Sequence, residues 1–207
     1  MFAVVPAAGL SRRMGQPKLL MDWSGAPVID RLLSALDIPE VTDRVVVLRP
    51  NDPRLGEAVA STGATVVQPD VAPADMKASV VCAVEYVERV HRPTADDAWM
   101  LVPADHPTLE RAVVAKIVAA WTASQADVLI PVYAGQTGHP IVCKWSVTAQ
   151  LASIPAERGL NWLIHGSRLN LQRLAVDAPA ILQDLDTPGD FRRLQNGGLP
   201  GDQACEP

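Results

Sequence analysis

Short β-branched runs alternate with helix-period segments along most of this chain, and that alternation restricts its fold more than any other feature. "FAVVP" (2–6), "RVVVLR" (44–49), "ATVVQP" (64–69), "WMLVP" (99–103) and "DVLIPVY" (127–133) read as strands. Between the first two, "PVIDRLLSALD" (27–37) places Val28, Ile29, Leu32, Leu33 and Leu36 on one helical stripe. "PRLGEAVAST", "DMKASVVCAVEYVERV" (75–90) and "ERAVVAKIVAAWTAS" read as further helices, and Val80, Val84 and Val87 face inward from the second. Such alternation predicts an α/β fold, a three-layer α/β/α sandwich around a mostly parallel, Rossmann-like sheet. The near-continuous apolar strands agree, because strands covered on both faces need no polar side.

The pattern loosens after residue 146. "HPIVCKW" (139–145) is a strand joined to 127–133 by the turn "AGQTG". "RGLNWLIHGS" reads as helical, "QRLAV" as extended, and "ILQDLD" as a strand end running into a short helix in "TPGDFRRL". The expected organisation is a single domain over 1–196 with a loose, glycine- and proline-rich tail over 197–207.

Ligands of open α/β sheets sit beyond the carboxyl ends of the strands, so the polar residues that follow each strand are the ones to weigh. After the first comes "PAAGLSRRMGQPKLL". Gly9 and Gly15 tolerate positive φ and leave room for close backbone approach. Free N–H groups in such a bend form an anion nest, and Arg12, Arg13 and Lys18 add full charges. A polyphosphate accounts for all of these features together; a surface loop of solvated cations is the plainer alternative. Five residues separate the two glycines and Lys18 stands alone, so this is no Walker loop, and the G-x-G-x-x-G dinucleotide fingerprint is absent.

The net charge of −5 argues against a nucleic-acid or anionic-membrane binder, so any anion must be held by a local cluster of cations. Cys82, Cys143 and Cys205 are few, odd in number and far apart, which fits neither a zinc ribbon nor a disulfide framework and suits a reducing compartment. "MFAVVPAAG" lacks the order of a signal peptide, and no stretch approaches the ~20 apolar residues of a membrane span. A cytoplasmic protein is expected.

Two acidic elements follow later strands. Asp105, in "LVPADHPTL", stands where a hard cation such as Mg²⁺ takes a carboxylate together with phosphate oxygens; alternatively it caps a helix starting near Pro107 or Thr108. Asp184 and Asp186, in "LQDLDTPGDF", share one face if the segment is a strand. Asp186 or Thr187 followed by Pro188 and Asp190 is also a good helix start, and capping and metal binding can coexist there.

"PAAGLSRRMGQPKLL" resembles the A-A-G-x-S-x-R-M-G-x-x-K-x-L signature of the nucleotidyltransferases related to molybdenum-cofactor cytidylyltransferases. The resemblance implies that this loop, with Ala7, Ala8, Gly9, Ser11 and Arg12, wraps the triphosphate of an NTP. It also implies that Lys18 binds phosphate, that Arg13 lies against the β/γ groups and that Ala8 and Gly9 approach the base. Ala-Ala-Gly is similar to the start found in cytidine users. "PADHP" looks like the family's D-x-P element and "DLDTPGD" like its D-I-D-T-P-x-D stretch, which implies a metal held by Asp105 and Asp186, with Asp184 second. His106 then orients the loop or touches substrate on the acceptor side.

"PADMKASV" resembles the family's G-M-x-x-S-L element beside the base and sugar. Ser79 is the best match; Asp75 replaces the glycine and caps the helix, Lys77 adds a charge, and Met76 reads as core. "GQTGHPIV" is similar to G-x-x-G-H-P-V/I, which implies Gly138 and His139 on the acceptor side of the cleft. Arg158 and Gly159 fall in a region the family places near a pterin, and Trp162 reads as packing. The implied activity is transfer of CMP from CTP to the phosphate of molybdopterin, with Mg²⁺ as cofactor, pyrophosphate as product and a molybdoenzyme or cofactor-insertion protein as partner. Nucleic acid and membrane are not expected partners. The alternatives are a relative using another NTP or a sugar or metabolite phosphate, and a non-catalytic module that binds nucleotide or cofactor.

Overall fold

A computed structural model describes residues 1–155, 157–162 and 169–197. Its main sheet orders seven strands as β5–β4–β1–β6–β9–β7–β10. These are β1 (Phe2–Pro6), β4 (Asp43–Val47), β5 (Thr65–Val67), β6 (Ala98–Leu101), β7 (Val128–Tyr133), β9 (Ile141–Lys144) and β10 (Leu171–Ala175). The short β8 (Gln136–Thr137) pairs with β7, and β2 (Asp22–Trp23) and β3 (Ala26–Pro27) form a separate ribbon. Pairs β1–β4, β4–β5, β1–β6 and β7–β10 are parallel, while β9 runs against both of its neighbours. The expected three-layer, mostly parallel α/β/α architecture is what forms.

Alternate side chains of β1 enter two different cores. Ala3 and Val5 pack with α1 (Val28–Ala35), α2 (Pro53–Ser61) and α4 (Arg111–Thr122). Phe2 and Val4 join the core of α3 (Met76–His91) on the opposite face. The α1 stripe Val28, Ile29, Leu32, Leu33 and Leu36 is fully buried, and Val80, Val84 and Val87 of α3 also point inward. Helix starts follow local chemistry. Asp52 accepts from the Leu55 N–H ahead of α2, and Asp75 accepts from the Ala78 N–H ahead of α3. At α5 (Pro188–Gln195), Thr187 and Asp190 form a capping box.

Strand order is what creates a site. The chain runs from β1 outward through β4 and β5, then returns to place β6 on the other side of β1. Crossovers that leave β1 in opposite directions open a crevice above the carboxyl ends of β1 and β6.

One expectation about local structure fails. Residues 181–186 are not a strand end: a 3₁₀ turn spans Pro179–Leu182, and irregular chain follows to α5. Short-range hydrogen bonds from the Ile181 N–H to the Ala178 carbonyl and from the Asp184 N–H to the Leu182 carbonyl occupy the backbone groups a ladder would need. The argument that strand periodicity puts Asp184 and Asp186 on one face therefore does not hold. The second half of the helix expected in "RGLNWLIHGS", most of the C-terminal tail, and Cys205 lie outside the described residues.

Candidate functional site

The loop after β1 is held by its own polar atoms. The Ser11 carbonyl accepts from the N–H groups of Met14 and Gly15, and the Ser11 hydroxyl accepts from the Lys18 N–H. Positive φ falls on Ser11 (50°) and Gly15 (73°), and not on Gly9 as expected. Gly9 contributes open space instead, since nothing lies within 4 Å of where its Cβ would be. Between Ala8 and Arg13 the backbone N–H groups find no acceptor among the described residues. This is the arrangement of an anion nest. Met14 and Leu19 are buried and pin the loop to the core, leaving Arg12 and Arg13 exposed.

Asp105 arrives from the neighbouring strand. After β6 the chain continues beside β1, with the Val102 N–H donating to the Val4 carbonyl and the Ala104 N–H to that of Pro6. Asp105 does not cap α4, whose N-cap is Glu110. Lys18 Nζ donates to Asp105 Oδ2 at 2.7 Å, and His106 Nδ1 lies 3.3 Å from Oδ1. Burial alone would raise the Asp105 carboxyl. The bond to His106 and the charge of Lys18 reverse that and hold it well below the usual carboxylate range.

Asp186 comes from the far end of the sequence. The Leu185 N–H donates to the Asp105 carbonyl at 2.9 Å, and the fully buried Leu185 side chain locks that register. Asp186 then receives Lys18 Nζ on Oδ1 at 2.9 Å and Arg13 Nη2 on Oδ2 at 2.8 Å. Capping of α5 is left to Thr187. Asp184 shares neither cation, and burial, then the charges of Asp186 and Asp105, push its carboxyl up. Lys18, which burial alone would lower, is raised by Asp105 and Asp186 and stays an ammonium.

Around these groups opens a cleft of about 540 Å³ lined by Ala7 to Arg13, Lys18, Ser79, Asp105 and Asp186. Its opposite rim is the start of α3, where Asp75 caps the helix and Met76 is exposed at 46%, rather than being core. Ser79 is buried and donates from its hydroxyl to the Asp75 carbonyl. Arg49, two residues beyond β4, also lines the cleft; the rule that picked out the other loops applies to it equally. A second cavity of about 400 Å³ shares Asp75 and Met76 with the cleft and is lined by His139, Arg158 and Gly159. Lys77 is turned to the Pro155 carbonyl at 3.1 Å.

Of the three residues expected on the acceptor side, His139 lines this second cavity. His106 is 4% exposed, packs edge-on against the His139 ring and backs Asp105, which fits the orienting one of the two roles expected for it. Gly138 is buried under the 3₁₀ turn, where any Cβ would collide with the Ile181 carbonyl. Burial, then the proximity of His106, lowers His139 to about 4, which keeps its ring neutral near pH 7.

Two carboxylates offer hard oxygen donors, and the described residues hold no group of three or more His, Cys, Asp or Glu arranged for a metal. Such a pair fits a divalent cation whose remaining ligands are phosphate oxygens and water, and not an all-protein cage. A basic nest facing two carboxylates over the switch point of an α/β sheet suits a polyphosphate carried with a divalent cation. The chain belongs to the MobA-like NTP transferase domain family, whose model matches residues 3–174. It is a nucleotidyltransferase of the MobA/MocA type.

The molybdenum cofactor cytidylyltransferase of Escherichia coli strain K12 is 28% identical over 91% of this chain and 92% of its own. A molybdenum cofactor guanylyltransferase of Rhodopseudomonas palustris strain HaA2 is 34% identical, over 70% of this chain and 65% of its own. Among solved structures, the Rv0371c protein of Mycobacterium tuberculosis H37Rv in complex with manganese is 26% identical, with a TM-score of 0.74 over 94% of this chain and 97% of that one.

Proposed function

We propose that this protein transfers CMP from CTP to the terminal phosphate of a molybdopterin-type acceptor, releasing pyrophosphate. The observation that carries the reading is Lys18 Nζ seated 2.7 Å from Asp105 and 2.9 Å from Asp186, at the floor of a cleft walled by the first loop. The nest amides of Ala8 to Arg13 hold the triphosphate, and Lys18 and Arg13 neutralise charge that develops on the leaving pyrophosphate. Asp105 and Asp186 hold a divalent cation, Mg²⁺ or Mn²⁺, which supplies Lewis-acid charge neutralisation at the phosphates. His106 fixes the Asp105 carboxylate from behind.

An acceptor phosphate oxygen attacks the α-phosphorus while the bond from that phosphorus to the β-bridging oxygen breaks. No general base is required, because a phosphate oxygen is already ionised near neutral pH. The protein's main task is to hold the reactants in line. The cavity lined by His139, Arg158 and Gly159 receives the acceptor, with neutral His139 as a hydrogen-bonding group.

CTP is favoured over GTP by Ala7-Ala8-Gly9, which resembles the start found in cytidine users. A cytoplasmic setting suits the free thiols of Cys82 and Cys143. The test is pyrophosphate release from CTP, GTP and ATP with molybdopterin as acceptor. CTP-dependent release is expected. Preference for GTP, turnover with a sugar phosphate alone, or nucleotide binding without any release would overturn the reading.

A further inference from the structure

All four carboxylate oxygens of the acidic pair are engaged by the protein's own groups. Asp105 Oδ2 and Asp186 Oδ1 accept from Lys18 Nζ, Asp186 Oδ2 pairs with Arg13, and Asp105 Oδ1 faces His106. The Lys18 ammonium therefore sits where a cation shared by both carboxylates would be. The two side chains that neutralise the pair are also the two assigned to phosphate.

From this geometry we infer that Lys18 is a resident counter-ion that must be handed to the triphosphate before the acidic pair accepts a divalent cation. This makes nucleotide and metal binding strongly and mutually cooperative. The inference rests on the function proposed above and deepens it. Without Lys18 the two carboxylates face each other at the bottom of a part-buried cleft, where like charges repel strongly. Its side chain is 13% exposed and reaches both acids, so it satisfies them with little water present. A divalent cation entering alone must displace an ammonium that then has no acceptor. When a triphosphate is present, Lys18 and Arg13 exchange carboxylate for phosphate and lose little. Each ligand thereby lowers the cost of the other, and linkage makes the effect reciprocal.

The discriminating measurement is Mn²⁺ binding by the full chain, followed by loss of the free-ion EPR signal, with and without a non-hydrolysable α,β-methylene CTP. The equilibrium between Mn²⁺ and the analogue alone is measured separately and subtracted. Wild-type protein is expected to bind Mn²⁺ weakly without nucleotide and about 10- to 100-fold more tightly with it, the usual range of coupling between sites. Lys18→Met is expected to bind Mn²⁺ at least about tenfold more tightly than wild type without nucleotide, and to lose most of the enhancement. Lys18→Arg, which keeps the charge, stays near wild type in the nucleotide-free titration.

Unchanged or weaker Mn²⁺ binding by Lys18→Met would overturn the inference. So would tight Mn²⁺ binding by nucleotide-free wild type, which needs no variant to fold. Absence of Mn²⁺ binding by wild type under every condition would instead remove the metal role proposed for Asp105 and Asp186.

Discussion

The Leu185 amide donates to the Asp105 carbonyl at 2.9 Å, and this backbone bond places Asp186 beside an acid that enters from a different strand. Leu185 itself is fully buried. Leu185→Ala is expected to cost about 2–5 kcal/mol in urea unfolding, the usual price of truncating a core leucine. Under native conditions its kcat falls while CTP binding through the first loop persists. Equal loss of both would mean the bond does not serve to position Asp186.

Asp105→Asn and Asp186→Asn each remove one charge from the acidic pair. Nucleotidyl transfer should drop by about 10²- to 10³-fold, the scale seen when a group that stabilises a transition state is lost. Asp184→Asn, which shares neither cation, should retain most activity. At pH 7 its melting temperature should rise slightly, because burial, then the charges of Asp186 and Asp105, disfavours the ionised Asp184 carboxylate in the folded state. Initial rates with pyrophosphate detection and thermal melts separate the three variants.

Gly138→Ala forces a Cβ into the Ile181 carbonyl. Backbone must move, and a loss of about 1–3 kcal/mol is expected, as for other overpacked sites. Gly135→Ala meets no neighbour but sits at φ +79°, so about 1 kcal/mol is expected from conformation alone. Chemical denaturation of the pair tests whether Gly138 is required by packing. Equal losses would argue against that.

Acid should dissolve the clamp in a defined direction. Asp105 is lowered well below 3.8 in the folded state, so its contribution to stability is fully present above 3.8 and is lost progressively as pH falls from there through its depressed folded value. Lys18 is raised from 10.5, and its contribution is lost only as pH rises past that value. With a chelator present, wild type should melt above Lys18→Met near pH 7, and the gap should persist down to about pH 4 and narrow only as pH falls further. A gap that stays constant with pH would contradict the ion-pair assignment.

His139 is held to about 4, so it does not change charge between pH 5.5 and 8, a window taken from about where an ordinary histidine titrates. His139→Gln is expected to raise the acceptor KM with little change in kcat and to leave the shape of the pH–rate profile in that window unchanged. Disappearance of a limb of the profile would assign His139 a proton-transfer role instead.

The periodic elements were legible because their causes are local. The α1 stripe of Val28, Ile29, Leu32, Leu33 and Leu36 is one face of a helix whatever lies beside it, and all five residues are buried. Asp75 and Thr187 cap their helices through bonds reaching only three residues along the chain. Segment 181–186 misled because its short apolar run carries a strand-like pattern, whereas a 3₁₀ turn and the seat over Gly138 decide its path. Gly138 was expected on the acceptor side and is turned inward, and of the two roles open to His106, orienting the loop or touching substrate, its burial against Asp105 fits the first; burial depends on what is stacked above a residue, which no local pattern encodes.

The sequence by itself determined the alternating elements, the cation-rich loop at Arg12, Arg13 and Lys18, and the presence of acids after β6 and ahead of α5, since these depend on residue type and spacing of a few positions. Tertiary structure alone decided that Lys18 closes on both Asp105 and Asp186, that Arg49 joins the same cleft and that Met76 is exposed at its rim. Those contacts depend on β6 pairing with β1 and on Leu185 bonding to Asp105. Such long-range registers arise from packing the whole sheet, so the charge balance of the site comes into being only when the fold closes.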